Sequence, residues 1–231
     1  MCGIAGYIPL QGEISSQNIV EIQQMLLTLV HRGPDSIGLI HDAKIALGNT
    51  RLAIIDTSDH ANLPMATAQN DVWICYNGEV SNFQQLKTKY RLAEKYPFQS
   101  CSDTEVMLYL YKELGIDFLN ELSGMFAFCL YDRTTQKCWI VRDFYGILPV
   151  FYYPTTQGVY FASEIKAFLE LSHFKKELDK TALHHFFSLA YIPGTATPYQ
   201  NLKELKGGQL LTFDLHSHNF KLVQYYDFEY K

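Results

Sequence analysis

The apolar residues of this chain follow two periods, one typical of helices and one typical of strands. Helical stripes, with apolar positions three and four residues apart, occur in five segments. These are residues 16–31, 83–92, 103–114, 163–171 and 180–189. Gly33-Pro34 follows the first stripe and ends that helix. Ser102-Asp103-Thr104-Glu105 has the form of a capping box, which predicts that the third helix begins there.

Short apolar runs between turn residues predict the strands. They form an early and a late group, on either side of the helices within residues 83–114. The early runs are 3–8, 37–41, 44–47, 51–55 and 72–76, and the late runs are 125–132, 138–142, 150–153, 159–162, 209–214 and 221–225. The last two runs predict a hairpin. Two strand groups with helices between them predict two packed sheets with helices outside, an α+β layered fold.

Composition narrows the class of protein. The chain has 231 residues, of which 48% are hydrophobic and 19% charged, so we expect an ordinary globular protein with one large domain or two small ones. A net charge of −5 without any basic run argues against nucleic-acid binding. No apolar run approaches the ~20 residues of a membrane helix, and the N-terminus lacks the regions of a signal peptide. Five cysteines without CxxC spacing predict reduced thiols in a cytoplasmic protein.

The residue with the most specific chemistry is Cys2. Removal of Met1 would place a thiol and a free α-amino group on the same Cα. An α-amino group titrates at roughly 7.7–8.0, so near neutral pH it can take the proton of a thiol whose pKa is roughly 8.5. One residue would then supply nucleophile and base. The alternative is that Cys2 is a small buried residue at the start of a strand.

Three other polar positions lie beside apolar segments, and each has a structural and a functional interpretation. Arg51 precedes an apolar stretch; it forms either a structural ion pair or a bidentate contact with a substrate carboxylate. Asn77-Gly78 follows a buried strand; it is either a turn or an oxyanion hole. Asp103 either complements the dipole of its helix or binds an ammonium group.

Several segments together resemble a known family. They are Cys2-Gly3-Ile4-Ala5-Gly6, His31-Arg32-Gly33-Pro34-Asp35, Arg51-Leu52-Ala53-Ile54-Ile55-Asp56, Tyr76-Asn77-Gly78-Glu79, Ser102-Asp103-Thr104-Glu105 and Phe161-Ala162-Ser163-Glu164-Ile165-Lys166-Ala167. In this order they resemble the class II, N-terminal nucleophile, glutamine amidotransferase domain found in glutamine-hydrolysing asparagine synthetases. The likeness covers essentially the whole chain and implies one domain over residues 1–231. It implies the four-layer αββα sandwich of N-terminal nucleophile hydrolases.

The resemblance also implies roles for individual residues. Cys2 would attack glutamine, and the Asn77 side chain with the Gly78 N–H would hold the oxyanion. The substrate would be bound by Arg51, Leu52, Ile54, Ile55, Asn77, Gly78, Glu79 and Asp103, with Arg51 on its α-carboxylate and Asp103, helped by Glu79, on its α-ammonium. Arg32-Gly33-Pro34 would border the pocket. The resemblance implies no metal or cofactor in this domain, and ATP with Mg only in a synthetase domain or partner that consumes the ammonia.

The chain departs from the family pattern at several positions. Leu63 stands where the family usually has glutamine, and Leu148 where it often has a basic residue. No phosphate-binding loop is present, so we expect that the synthetase domain is absent from this chain. We then expect an exposed apolar patch around Phe144, Tyr145, Leu148 and Phe151. Two alternatives stay open: another amidohydrolase with an N-terminal cysteine, or a degenerate module that only binds glutamine or a partner.

Overall fold

The computed structural model describes residues 1–227, and their strands form two antiparallel sheets. In the first sheet the spatial order is β10 (Lys203–Glu204), β8 (Phe151–Pro154), β9 (Gly158–Ala162), β1 (Gly3–Pro9), β3 (Ala46–Arg51) and β2 (Ser36–His41). In the second it is β12 (Asn219–Gln224), β11 (Gln209–Asp214), β7 (Lys137–Arg142), β6 (Gly124–Asp132), β5 (Val72–Val80) and β4 (Met65–Ala66). The predicted hairpin is confirmed as β11 and β12.

Helices cover the outer face of each sheet. They are α1 (Ser16–Leu27), α2 (Phe83–Lys89), α3 (Leu92–Lys95), α4 (Asp103–Leu114) and α5 (Lys180–Leu189), with 3₁₀ turns at Asp59–Ala61, Gly115–Glu121 and Ile165–Glu170. Helix α1 packs on the first sheet and α4 on the second. None of the helices within residues 1–227 combines the length and apolar content needed to cross a membrane.

Alternation along the strands explains the layers. In β1, Ile4 and Ile8 point into the core between the two sheets, whereas Ala5 and Tyr7 point outward against α1. Side chains from β5 and β6 alternate in the same way between this inner core and α4. The result is helix, sheet, sheet, helix, which confirms the predicted α+β sandwich with four αββα layers.

Some local predictions are wrong, for identifiable reasons. Residues 52–55 form no strand, because β3 ends at Arg51 and the following chain turns away as a loop. The predicted helix at 83–92 is divided by Arg91, whose φ of 53° interrupts it. The capping box is half formed: Ser102 accepts from the Glu105 N–H, but the Glu105 carboxylate binds the N–H groups of Gln99 and Ser100 instead.

The expected apolar patch is also only partly correct. Tyr145 is exposed, but Leu148 is 2% exposed, and Phe144 and Phe151 are half-buried. A different surface carries more exposed apolar side chains, namely α5 and the residues just after it. Its exposed members are Phe186, Phe187, Leu189 and Tyr191. Ala182 is the buried residue of this helix, so most of its apolar face meets solvent.

Candidate active site

A pocket with a free volume of about 100 Å³ lies where β1, β3 and β5 meet the start of α4. Its lining includes all nine residues to which the sequence analysis gave a catalytic or substrate-binding role: Cys2, Arg51, Leu52, Ile54, Ile55, Asn77, Gly78, Glu79 and Asp103. These residues come from four segments spread over residues 2–103. The fold therefore brings these nine residues to one cavity.

Cys2 is half-buried at the inner end of this pocket, immediately before β1. Its Sγ accepts a hydrogen bond from the Leu52 N–H at 3.4 Å. Burial raises the pKa of the thiol above its ordinary value. The Leu52 N–H, the ammonium group of Met1 and Arg51 lower this pKa, but by less than burial raises it. A thiol with a raised pKa needs a nearby base before it can act as a nucleophile near neutral pH.

Asn77 lies in the middle of this cavity wall and is 0% exposed. Neither its Oδ1 nor its Nδ2 has a hydrogen-bonding partner within the described part of the chain. Buried side-chain amides are nearly always paired, because an unpaired one costs desolvation free energy. Asn77 lines the pocket, so its unused Nδ2 donor is available to an oxygen atom that a bound molecule brings there.

The Gly78 N–H lies beside this amide. Gly78 is paired with Phe126 of β6, and both backbone groups of Phe126 bind Asp143 on the opposite side. Alternation in an antiparallel ladder then directs the N–H groups of Tyr76, Gly78 and Val80 away from β6. Asn49 Oδ1 accepts the first and Asp103 Oδ2 the third. The Gly78 N–H between them therefore faces the pocket.

This arrangement excludes the turn, one of the two interpretations of the Asn-Gly dipeptide. Strand β5 continues to Val80, so Asn77-Gly78 is not a turn. Gly78 is required by a close approach: a Cβ atom there would lie 2.4 Å from the Met125 carbonyl oxygen of the neighbouring strand. The chain can present two donors side by side because a residue without a side chain follows Asn77.

Arg51 ends β3 and is 6% exposed. Its Nη1 donates to the Ser58 carbonyl at 3.1 Å and to Asn62 Oδ1 at 2.8 Å, and its Nη2 donates to the Asp56 carbonyl. It forms no ion pair with a carboxylate in residues 1–227. The guanidinium thus holds the loop at 56–62 in place, and its positive charge lies at the pocket without a salt bridge.

Asp103 is the first residue of α4 and is 4% exposed. Its Oδ2 accepts from the Tyr76 hydroxyl at 2.7 Å and from the Val80 N–H at 2.9 Å. Burial raises the pKa of this carboxyl despite those hydrogen bonds. A cation brought into the pocket would offset the desolvation of the carboxylate. Glu79 lies at the rim, where its side chain is exposed.

The segment around Arg32 lies behind the cysteine and does not line the pocket, contrary to expectation. Arg32 Nε donates to the Cys2 carbonyl at 2.9 Å, and its Nη1 binds Glu164 at 2.9 Å. Gly33 packs so closely on the backbone of Thr50 and Arg51 that a Cβ atom would clash there. This segment therefore supports the backbone of Cys2.

Sequence reasoning missed part of the lining. Leu63, Met125 and Leu148 form an apolar wall of the pocket. Tyr76 also lines it and donates its hydroxyl hydrogen to Asp103. Leu63 and Leu148 are among the positions that depart from the family pattern, together with Ser81, and these departures were the available signal. No group of three potential metal ligands occurs among the described residues.

Known proteins are similar to this chain over almost its whole length. The sequence pattern of the glutamine amidotransferase domain matches residues 1–226. A putative glutamine-hydrolysing asparagine synthetase of Methanocaldococcus jannaschii is 34% identical over 98% of this chain and 47% of its own length. Glutamine-hydrolysing asparagine synthetase 1 of Bacillus subtilis is 34% identical over 92% of this chain and 33% of its own length.

A solved structure shares the fold. Glutamine phosphoribosylpyrophosphate amidotransferase of Bacillus subtilis superposes with a TM-score of 0.69 at 20% identity, covering 97% of this chain and 49% of that one. The chain thus spans about half, or less, of the length of the relatives it matches.

Proposed function

The chain belongs to the glutamine amidotransferase domain family, and from that premise we propose that it hydrolyses glutamine to glutamate and ammonia at Cys2. The observation that carries the proposal is Asn77, a fully buried amide in the Cys2 pocket whose two polar atoms have no partner in residues 1–227. A substrate oxyanion would supply the missing acceptor for its Nδ2.

The reaction proceeds in two steps. After removal of Met1, the α-amino group of Cys2 takes the proton of the thiol, and the thiolate attacks the side-chain carbonyl carbon of glutamine. Asn77 Nδ2 and the Gly78 N–H donate to the oxygen as it becomes negative. The C–N bond breaks when the amino group returns the proton to the leaving nitrogen, which departs as ammonia. Water then hydrolyses the thioester and releases glutamate.

Arg51 and Asp103 bind the two charged groups of the substrate. A guanidinium has five N–H donors, and the loop at 56–62 uses three of those of Arg51. The Nε–H and one Nη2–H remain for the α-carboxylate. Asp103, with Glu79 at the rim, binds the α-ammonium. Leu52, Ile54 and Ile55 form the mouth of the pocket, where Ile54 is 70% exposed and would be covered by the substrate.

The ammonia serves an amidation of the asparagine-synthetase type. Glutamine-hydrolysing asparagine synthetases are relatives over almost the whole chain. The synthetase activity, with its ATP and Mg, would belong to a further domain or a partner. The pocket itself needs no metal for the thioester chemistry, since Cys2 supplies both the nucleophile and the base.

The test is ammonia release by the purified chain. Intact mass must first show loss of Met1, and L-glutamine must then yield glutamate and ammonia in equal amounts. L-Asparagine is the matched control, because its amide lies one methylene closer to the charged groups that Arg51 and Asp103 hold. Binding of glutamine without ammonia release would instead identify a degenerate binding module, and release from other amides in preference to glutamine would identify another amidohydrolase.

A further inference from the structure

Asn49 is the second fully buried asparagine near the pocket, and the proposed chemistry does not use it. It lies in β3, where its side chain shares a face with Leu47 and Arg51 and points toward the second sheet. It is 0% exposed and does not line the pocket. An amide at this depth is costly unless its donors and acceptor are paired.

Both of its N–H donors and its acceptor oxygen have partners, and every partner is a backbone group. Its Nδ2 donates to the Gly3 carbonyl at 3.0 Å and to the Thr50 carbonyl at 3.3 Å. Its Oδ1 accepts from the Tyr76 N–H at 2.7 Å. Gly3 belongs to β1 and Tyr76 to β5, so this one side chain connects the two sheets of the sandwich.

Each backbone group that Asn49 binds belongs to the neighbour of a site residue. Gly3 follows Cys2, Thr50 precedes Arg51, and Tyr76 precedes Asn77. Tyr76 in addition donates its hydroxyl to Asp103. The nucleophile Cys2, the carboxylate-binding Arg51 and the oxyanion donor Asn77 are therefore each adjacent in the chain to a residue whose backbone is hydrogen-bonded to Asn49.

Further hydrogen bonds hold the start of strand β1, next to Cys2, in place. The Gly3 N–H donates to Thr50 Oγ1 at 3.1 Å, and that hydroxyl donates to the Leu29 carbonyl at 3.1 Å. A Cβ atom on Gly3 would lie 2.6 Å from Thr50 Oγ1. Both backbone polar groups of Gly3 are thus held by side chains of β3, and Asn49 carries this fixed geometry across to β5.

We propose that Asn49 is a positioning residue that sets the distance between the Cys2 nucleophile and the Asn77–Gly78 oxyanion donors. The inference rests on the proposed function, since it concerns that reaction. A purely structural role is the competing explanation: strand β4 ends its pairing with β5 at Ile74, and Asn49 supplies the acceptor that the Tyr76 N–H then needs. That role would change stability but not the chemical step.

Two variants test the proposal. Asn49→Leu has nearly the same size and loses every bond, whereas Asn49→Ser keeps a hydroxyl and serves if the leucine variant does not fold. We expect kcat to fall by about 10- to 100-fold with little change in KM, because misplacement of about 1 Å acts on the transition state. Assays run below the melting temperature of each variant.

Asn82 offers a matched control. It is half-buried, donates to the Glu121 carbonyl at 2.8 Å and accepts from the Ser123 N–H at 3.0 Å, so it also bridges two backbone segments. Asn82→Leu should lower the melting temperature and leave kcat unchanged. A double variant gives a further readout: on an Asn77→Ala background the Asn49 substitution should cost less in kcat than on the wild type, because one of the two donors it positions is already gone.

The outcomes separate the two proposals. If the wild-type chain, with Met1 removed, releases no ammonia from glutamine, the proposed function and the role of Asn49 in it both fail. If the wild type is active and the folded Asn49 variants keep the wild-type kcat, or lose it by the same factor on the Asn77→Ala background, the positioning role alone is wrong and Asn49 is structural.

Discussion

The pocket and helix α5 depart in opposite directions from ordinary burial. In the pocket, one polar side chain is buried without a partner in residues 1–227: Asn77 is 0% exposed with both side-chain polar atoms unpaired. On α5, apolar groups are exposed: Phe187 is 82% exposed on a helix that buries Ala182. The first departure costs free energy that a bound substrate would recover. The second costs little, since an exposed apolar side chain is in the same environment as in the unfolded chain.

The difference predicts which substitutions affect activity and which affect stability. Groups that are buried and unpaired in the free protein are expected to contribute to function at the expense of stability. Groups exposed on α5 should contribute little to either property of the isolated chain. Four substitutions test this contrast.

The largest effect is expected at Cys2. Cys2→Ala removes the atom that forms the thioester, so glutamine hydrolysis should fall to the background rate, while binding of glutamine, measured by calorimetry, persists. An electrophilic glutamine analogue should label Cys2 and spare Cys101, which is exposed but lies outside the lining of the pocket. Labelling of Cys101 with full activity in the Cys2→Ala variant would contradict the mechanism.

The next effect is expected at the oxyanion site. Asn77→Ala should lower kcat by about 10²–10³ with a smaller change in KM, as for loss of one oxyanion donor. Its melting temperature should stay close to that of the wild type, because removal of two unpaired polar atoms offsets the lost packing. The pocket interpretation fails if this variant is strongly destabilised and fully active at lower temperature.

A smaller and pH-dependent effect is expected at Asp103. Asp103→Asn should raise KM by about 10- to 100-fold, the value of a hydrogen bond to a charged group, and leave kcat less affected. Burial raises the pKa of this carboxyl above its ordinary 3.8. The stability that this pKa shift contributes is therefore fully present when the pH is below the ordinary pKa of the carboxyl group. It is lost as the pH rises through the pKa of the folded state.

The Asp103→Asn variant has no carboxyl group at this position, so its stability does not fall in this way as the pH rises. Asp103→Asn should consequently melt at a higher temperature than the wild type at pH 7, and the gap should close as the pH falls toward 4. Thermal melts of both proteins across this range measure the gap. A gap that widens toward low pH would show that the carboxylate is stabilised in the free pocket, and the contrast with α5 would lose its basis.

The sequence predicted the pocket better than it predicted the strands that build it. Cys2, Arg51 and Asp103 lie at or next to element ends and Asn77 lies within β5, and the side-chain chemistry of all four identified them. The apolar run at 52–55 predicted a strand, yet it forms a loop. The Arg51 guanidinium binds the carbonyl groups of Asp56 and Ser58 just beyond it, which turns the chain back. Local hydrophobicity carries no information about such a contact.

Long-range pairing explains the rest of the difference. Asn77-Gly78 alone is typical of a turn, but β6 pairs with it through Ala127 and Phe126 and keeps the chain extended. Asn49 had no local signal either, because its partners in β1 and β5, Gly3 and Tyr76, lie 46 residues before it and 27 residues after it. Positioning by buried amides becomes visible only when both sheets are in place.

The smallest effect is expected on α5. Phe187→Ala should change the free energy of unfolding by no more than about 0.5 kcal/mol, because this side chain is exposed, and it should not alter glutamine hydrolysis. Phe128 is the matched control: it is 0% exposed between β6 and the helices, and Phe128→Ala should cost about 3–5 kcal/mol. Denaturant titration of both variants measures the two values. A loss of unfolding free energy at Phe187 comparable to that at Phe128 would mean that α5 is covered in solution. The aromatic face of α5 would then already be buried in the free protein, and the contrast with the pocket, which awaits its substrate, would disappear.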